Sequence, residues 1–224
     1  MFEDLRNSLD FYLRNKFNFS RKNFVEKNKK LIERNRLENL YTTDVLNQTL
    51  RKQGKKLNIL DIGCKNWFYA KGEYNFFTSF CENFCLDGVE IDPYRLYSNF
   101  YNRYEVAKYY TKGLENTNYI AGNLLDIEKK YDYIIWFLPF VTYEPHQYWG
   151  LPKKYFYPEK LLKHAFDLLN NNGQMLIINQ GEKEFEIQKQ MLNKLKINYK
   201  DLGEIKSNYF EYKNKRFCLV INKT

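Results

Sequence analysis

LNILDIGCKNWFY, Leu57 to Tyr69, is the stretch whose reading governs the rest of the chain. Leu57, Ile59, Leu60 and Ile62 form a short apolar run, opened by the polar RKQGKK (51–56) and closed by Gly63. That is the pattern of a central parallel strand buried on both faces. An acid as the strand ends, Asp61, and a glycine two residues on, Gly63, set up a turn whose backbone can approach a ligand closely.

Outward from this strand, helical and strand patterns alternate. Phe76, Phe77, Phe80 and Phe84 are spaced as one face of a helix laid on a sheet, and Leu86, Val89 and Ile91 suggest a second strand. Asp92 followed by Pro93 predicts the N-cap and first turn of a second helix, with Tyr97, Phe100, Tyr101 and Tyr104 as its apolar face. TNYIAGN (117–123) and YDYIIWFLPF (131–140) read as a third and a fourth strand with their exits. EKLLKHAFDLL (159–169) reads as a helix in which His164 is structural. Gly173 is expected to end a helix before a fifth strand, MLIINQ. EKEFEIQKQMLNKLK is then helical, with Phe185, Gln188, Met191, Leu192 and Leu195 along one side. NYFEYKNKRFCLVINK predicts a terminal hairpin turning at Lys213, Asn214 and Lys215. The fold class is α/β: a doubly wound, mostly parallel seven-stranded sheet with an N-terminal helical extension.

The extension comprises residues 1–56 and the catalytic domain residues 57–224. Phe2, Leu5, Leu9 and Leu13 predict an amphipathic first helix, and apolar positions between Leu31 and Leu50 predict one or two more, ended at Gly54. Residues 14–56 carry thirteen basic and four acidic side chains, a net of +9, whereas residues 57–224 carry 22 basic against 20 acidic. Codon bias spread evenly along the chain does not produce that asymmetry. Two readings fit the basic arm: a docking surface for an anionic partner, RNA ahead of an acidic protein or an anionic small molecule, with Phe17, Phe19 and Phe24 stacking on bases, or a solvated basic face whose aromatics pack against the sheet.

At 224 residues the chain is long enough for a full core. No window approaches the roughly 18 uncharged apolar residues of a membrane span, and MFEDLRNSLDF lacks the basic start and apolar centre of a signal peptide, so the expected location is cytoplasmic. Cys64, Cys81, Cys85 and Cys218 show no paired CxxC spacing, which argues against a zinc site or a disulfide framework. The spacing GxGxxG is absent, which disfavours a nicotinamide-dependent oxidoreductase.

Several of these segments, taken together, resemble class I S-adenosylmethionine-dependent methyltransferases. DIGCKNW resembles the family's first motif, DxGxGxG, with Asp61 and Gly63 in place but Lys65 and Trp67 where the second and third glycines stand. GVEID resembles the second motif, which implies that Glu90 accepts both ribose hydroxyls of the cofactor. The interval from Asp61 to Glu90, 29 residues, exceeds the ~20 of a dinucleotide fingerprint and is ascribed to an enlarged loop, WFYAKGEY. Asn123 stands where the family has an Asp that accepts from the adenine amino group, and Leu124 where the next backbone N–H meets the ring. NNNGQMLIINQ is similar to the segment leading into the family's fifth strand.

YDYIIWFLPF resembles the fourth motif of amino-group methyltransferases, FDLIISNPPF, except that Phe137 replaces the polar residue that orients an amine. Phe137 accepts no hydrogen bond, which argues against an amine held in that manner. The resemblance covers about 57–224. It implies S-adenosyl-L-methionine as cofactor, with contacts from Asp61, Gly63, Cys64, Glu90, Ile91, Asn123, Leu124 and Phe137, no metal, and methyl transfer to an acceptor for which RNA is slightly favoured over a small molecule. His146, in the aromatic loop VTYEPHQYWGLPKKYFYP after the fourth strand, is the candidate base or substrate contact. The competing reading is a noncatalytic adenosine-cofactor-binding or RNA-binding module on the same fold.

Overall fold

A computed structural model describes residues 29–97 and 100–224. The helix expected from Phe2 to Leu13 and the basic run 14–28 lie outside the described residues. The described chain opens with helix α1 (Lys29–Thr49), a single helix where one or two were expected. It continues through β1 (Lys56–Ile62), α2 (Ala70–Thr78), β2 (Asn83–Glu90), α3 (Arg103–Tyr110), β3 (Thr117–Ala121) and β4 (Tyr131–Phe137). A short helix α4 (Tyr143–Tyr148), α5 (Pro158–Leu168), β5 (Leu169–Gln180), α6 (Gly181–Lys194), β6 (Lys200–Ile205) and β7 (Arg216–Asn222) complete it.

The strands form one sheet in the order β3-β2-β1-β4-β5-β7-β6. All pairings are parallel except those of β7, which runs antiparallel to both β5 and β6. β1 is central and buried on both faces, as its apolar run predicts. Leu57 and Ile59 join a core with α1, α2 and α3, while Leu60 and Ile62 join one with α5 and α6. The chain reverses its winding between β1 and β4, so the carboxyl ends of β1, β2 and β4 border a crevice where ligands of doubly wound sheets bind. Among the described residues, no helix is long and apolar enough to cross a membrane.

Four local expectations fail, each for a tertiary reason. Phe84 belongs to β2 instead of the helical stripe, yet its ring still packs 6.0 Å from Phe77, so the aromatic cluster survives the change of element. No helix begins at Asp92-Pro93. Arg95 Nε pairs with the Asp92 carboxylate at 2.6 Å, and α3 starts instead at Asn102, in a capping box with Glu105. Gly173 lies inside β5, where a Cβ would stand 2.8 Å from the Asn170 oxygen and 3.0 Å from that of Asp132, since α5 has already ended at Leu168. The terminal hairpin pairs β7 with β6 at Lys200–Ile205, not with residues 208–212. Tyr212 in that segment is drawn onto α1, its ring 5.0 Å from Tyr41.

α1 is joined to the sheet through α2. Tyr41, Val45, Leu46 and Leu50 are buried in the core beside β1. Asn39 accepts from the Gly72 N–H (2.7 Å) and donates to the Phe68 carbonyl (2.9 Å), while the Thr43 hydroxyl donates to the Gly72 carbonyl (2.8 Å). A Cβ on Gly72 would lie 2.4 Å from the Asn39 carbonyl oxygen. Gly72→Ala is therefore expected to push α1 off α2 and to destabilise the protein by about 1–3 kcal/mol, read as a lower urea midpoint.

Candidate functional site

The loop leaving β1 keeps a glycine-loop backbone with only one glycine. Gly63, Lys65 and Trp67 have φ of +73°, +57° and +46°. These are the three positions at which the DxGxGxG pattern has glycine. A left-handed residue other than glycine costs about 1–2 kcal/mol, so surrounding contacts must hold it. Lys65 N–H donates to Glu90 Oε2 (2.9 Å), and Tyr119 donates its hydroxyl to the Lys65 carbonyl (2.6 Å). Trp67 is fully buried, donates its indole N–H to Glu73 Oε2 (2.8 Å), and lies where Gly88 leaves room for it. Gly63 N–H donates to the Val89 carbonyl (2.8 Å), and a Cβ on Gly63 would meet nothing within 4 Å. The loop thus opens its glycine face to the crevice.

Above it lies a cavity of about 800 Å³, within the range of ligand pockets, roughly 300–1,000 Å³. Of the residues singled out from sequence, Gly63, Glu90, Ile91, Asn123, Leu124, Phe137 and His146 line this cavity. Asp61 and Cys64 do not; both are fully buried behind its wall. Tyr69 takes the position expected for Asp61, lining the cavity and donating its hydroxyl to Asp61 Oδ2 (2.9 Å). Among the described residues, Asp61 Oδ1 has no partner.

Burial first, and the Glu90 carboxylate after it, push the Asp61 carboxyl up to about 7 despite the Tyr69 hydrogen bond. Burial also raises Glu73 well above the usual carboxylate range. An acid whose folded pKa is raised binds more protons folded than unfolded, so its contribution to stability falls as pH rises from about 4 towards about 7. Asp61→Asn is expected to gain stability relative to wild type between pH 5 and pH 8, measured by urea unfolding at both. An equal difference at the two pH values would exclude the raised carboxyl.

Glu90, at the end of β2, is a knot of three segments. Oε1 accepts from Asp92 N–H (2.8 Å) and from the Arg103 guanidinium (3.1 Å), and Oε2 from Lys65 N–H. The expectation of two ribose hydroxyls on this carboxylate meets an Oε1 already filled. One lone pair on Oε2 remains, enough for a single hydroxyl. Arg103 is itself buried, and among the described residues its Nε has no partner. Removing Glu90 would leave that cation only the longer contacts to Asp92, 3.5 Å to its carboxylate and 3.3 Å to its carbonyl oxygen. Glu90→Ala is therefore expected to cost about 3 kcal/mol of stability, read by urea unfolding.

Asn123 lines the cavity, but its side chain is engaged locally. Its Oδ1 accepts from Leu125 N–H (3.1 Å), capping a turn of 3₁₀ helix, and its Nδ2 donates to the Tyr157 hydroxyl (3.1 Å). Over the same end of the cavity, Trp149 lies between two cations, with Lys65 Nζ 4.7 Å and Arg103 Cζ 5.2 Å from its ring. Burial, and then the Arg103 charge, lower the Lys65 pKa.

At the exit of β4, Phe137 packs edge-on against Tyr69 with ring centroids 5.5 Å apart. Leu138 follows with φ +57°, half exposed on the cavity wall and held by its N–H on the Ile178 carbonyl (2.7 Å). His146, in α4, is 3% exposed, and among the described residues neither ring nitrogen has a partner. His164 faces Ile127, its Nε2 3.0 Å from the carbonyl oxygen.

Wall residues that the sequence reading passed over include Tyr69, Lys65 and Arg103, together with Asn35, Glu38 and Thr42 of α1. Gln188 of α6 is another. It had a visible signal, a polar residue within an otherwise apolar helical stripe.

No protein-family model and no curated protein sequence matches the chain. Solved structures do. It is similar to an S-adenosylmethionine-dependent methyltransferase from Aquifex aeolicus at 16% identity over 86% of this chain and 94% of that one, with a TM-score of 0.55. A methyltransferase from Pyrococcus furiosus gives 21% identity over 83% and 82%, with a TM-score of 0.56. The magnesium protoporphyrin IX methyltransferase of Synechocystis, solved with S-adenosylmethionine bound, gives 11% over 97% and 96%, with a TM-score of 0.54. At these identities the likeness is one of fold. The seven-stranded, mostly parallel sheet with its flanking helices is the Rossmann-like methyltransferase fold.

Proposed function

We propose that the chain is an S-adenosyl-L-methionine-dependent methyltransferase working in the cytoplasm. The observation that carries this reading is the β1 exit loop, left-handed at 63, 65 and 67 and open at Gly63 onto the cavity. Strain of this kind, held in place by its surroundings, gathers at ligand clamps. The residues present fit the cofactor. Gly63 leaves room for close backbone approach, Glu90 Oε2 has a lone pair for a hydroxyl, and Ile91, Leu124 and Phe137 offer apolar surface for a flat base. Tyr69 and Asp61 form a hydroxyl–carboxylate pair for the amino-acid end, with Asp61 acting from behind through Tyr69.

The bound cofactor would supply a methyl group on a sulfonium sulfur, which leaves its bonding pair on the sulfur, so an O–H or N–H acceptor must shed one proton. Calorimetry with S-adenosylmethionine, then incubation of the methyl-labelled cofactor with fractionated cell extract, tests the reading. Binding and labelled acceptor are expected; binding without label in any fraction would favour the noncatalytic module.

The basic stretch 14–56 supports a second element, an anionic partner, with RNA ahead of an acidic protein. In its described part Arg34 is paired with Glu38 and Arg36 with Glu33, so docking falls mainly to the cations of residues 14–30 and of the exposed run 51–56. Some similar folds belong to RNA-modifying enzymes, such as the tRNA m1G37 methyltransferase of M. jannaschii. Binding to single-stranded RNA should weaken with salt, at a log-log slope of about −0.7 per phosphate contact. Neutralising Lys27, Lys29 and Lys30 together should flatten that slope and spare cofactor affinity.

A further inference from the structure

The charged side chains on the cavity wall, Arg34, Glu38, Lys65, Glu90, Arg103 and Arg216, come from α1, the exits of β1 and β2, α3 and β7. α4, α5 and α6 contribute none. Their part of the wall is apolar, with Trp136, Phe156, Leu162 and Met191, and it holds two buried uncharged polar side chains, His146 and Gln188. Among the described residues, both His146 nitrogens and Gln188 Nε2 have no hydrogen-bond partner. Just behind this wall Asn179 of β5, on the sheet face that α6 covers, is fully buried with both amide atoms unpartnered among the described residues.

An orphaned buried polar group costs about 1–3 kcal/mol, and native proteins seldom keep several together unless something else uses them. Three such atoms, on His146 and Gln188, line one cavity, and two more, on Asn179, lie behind it. Buried polar groups left without protein partners, converging on an apolar pocket, are how a site reads the polar edge of a ligand.

The shape of the wall selects the ligand further. His146 is boxed by flat rings, with centroids at 5.7 Å from Phe140, 5.9 Å from Tyr143 and 5.3 Å from Phe156. Flat faces and edges favour a planar guest. A neutral imidazole offers one acceptor nitrogen and one N–H, and the Gln188 amide nitrogen offers donors. The matching guest presents an N–H or O–H to His146 and an acceptor oxygen to Gln188. Fixed charge on the guest would find no counter-ion on α4, α5 or α6.

We propose that this wall is the acceptor subsite, and that it takes an uncharged planar heteroaromatic ring through an edge carrying an N–H or O–H beside an acceptor oxygen. The proposal rests on the methyltransferase reading for the word acceptor; the ring-binding chemistry stands on the wall itself. Burial lowers the His146 pKa, which keeps the ring neutral and able to receive the proton that the acceptor sheds. The ring could be a free compound or a nucleobase presented by RNA, since both share this edge.

The test uses the full chain and 2-quinolone, a flat lactam with N–H beside C=O, compared with quinoline-2-carboxylate, a charged ring of the same size. Calorimetry should detect 2-quinolone and find the carboxylate at least tenfold weaker. Removing a buried hydrogen bond is worth roughly tenfold in affinity, so His146→Phe and Gln188→Leu should each weaken 2-quinolone by about that factor. His146→Gln, which keeps an uncharged acceptor, should retain more of the affinity than His146→Phe. All three variants should bind S-adenosylhomocysteine as wild type does, which also reports that they are folded.

Equal affinity for the carboxylate, or 2-quinolone binding indifferent to both side chains, would overturn the proposal. Displacement of 2-quinolone by short single-stranded RNA would assign the ring to a nucleobase; no displacement would assign it to a free compound. If 2-quinolone follows the expected pattern while S-adenosylhomocysteine does not bind, the methyltransferase reading falls and the ring site stands.

Discussion

The carboxylate of Glu90 is the point on which the site hangs. It takes the Lys65 N–H from the β1 loop, the Asp92 N–H from its own strand exit, and the guanidinium of Arg103 from α3. Charge-assisted bonds of this kind are roughly twice as strong as neutral ones, and here they are shielded from water. They compensate for the left-handed backbone at Lys65. They also set the start of α3, since Arg103 is the first residue of that helix and must reach back to β2. Without this knot, a loop carrying Lys and Trp at glycine positions has no reason to keep the glycine-loop shape.

That arrangement explains how far the sequence was legible. The β1 strand and its Asp61-x-Gly63 exit, the alternation of strands and helices, and an antiparallel close, though not its partner strand, could be read from periodicity, because burial on two faces leaves a strong apolar run. The conformation at Lys65 and Trp67 could not. Side-chain identity at those positions argues against φ above zero, and the contacts that enforce it come from Glu90, Tyr119, Glu73 and the space left by Gly88, none of them local. The helix expected at Asp92-Pro93 failed for the same reason. Asp92 is held by Arg95 and Arg103, while Asn102 and Glu105, three residues apart, formed a legible capping box that was overlooked.

Site residues divide along a similar line. Positions fixed by strand ends, Gly63, Glu90, Asn123 and Phe137, line the cavity because the carboxyl edge of a parallel sheet is predictable from strand boundaries. Asp61 was placed one layer too near the ligand. A residue in a fully buried strand points into the core as readily as out of the strand end, and Tyr69 arrives from the following loop to cover it. The α1 wall was invisible, since only its docking through Asn39 and Thr43 onto Gly72 turns Asn35, Glu38 and Thr42 towards the cavity.

The fourth strand's exit carries the sharpest chemical contrast. Where amino-group enzymes place a polar side chain to orient their nucleophile, Phe137 stacks its edge on Tyr69 and leaves no acceptor. The backbone there is nevertheless distorted, with Leu138 left-handed and pinned to Ile178, so the exit keeps a demanding geometry while giving up its polar group. Hydrogen-bonding capacity reappears across the cavity, on His146 and Gln188, which are buried, uncharged and unpartnered. Strain retained at one wall and orphaned polarity at the other are both costs to folding, of about 1–3 kcal/mol for each residue or group involved. A domain that served only as a scaffold would gain stability by relaxing the first and filling the second with apolar side chains. The persistence of both on a single cavity therefore favours a chain that binds a ligand there over one that merely keeps the fold.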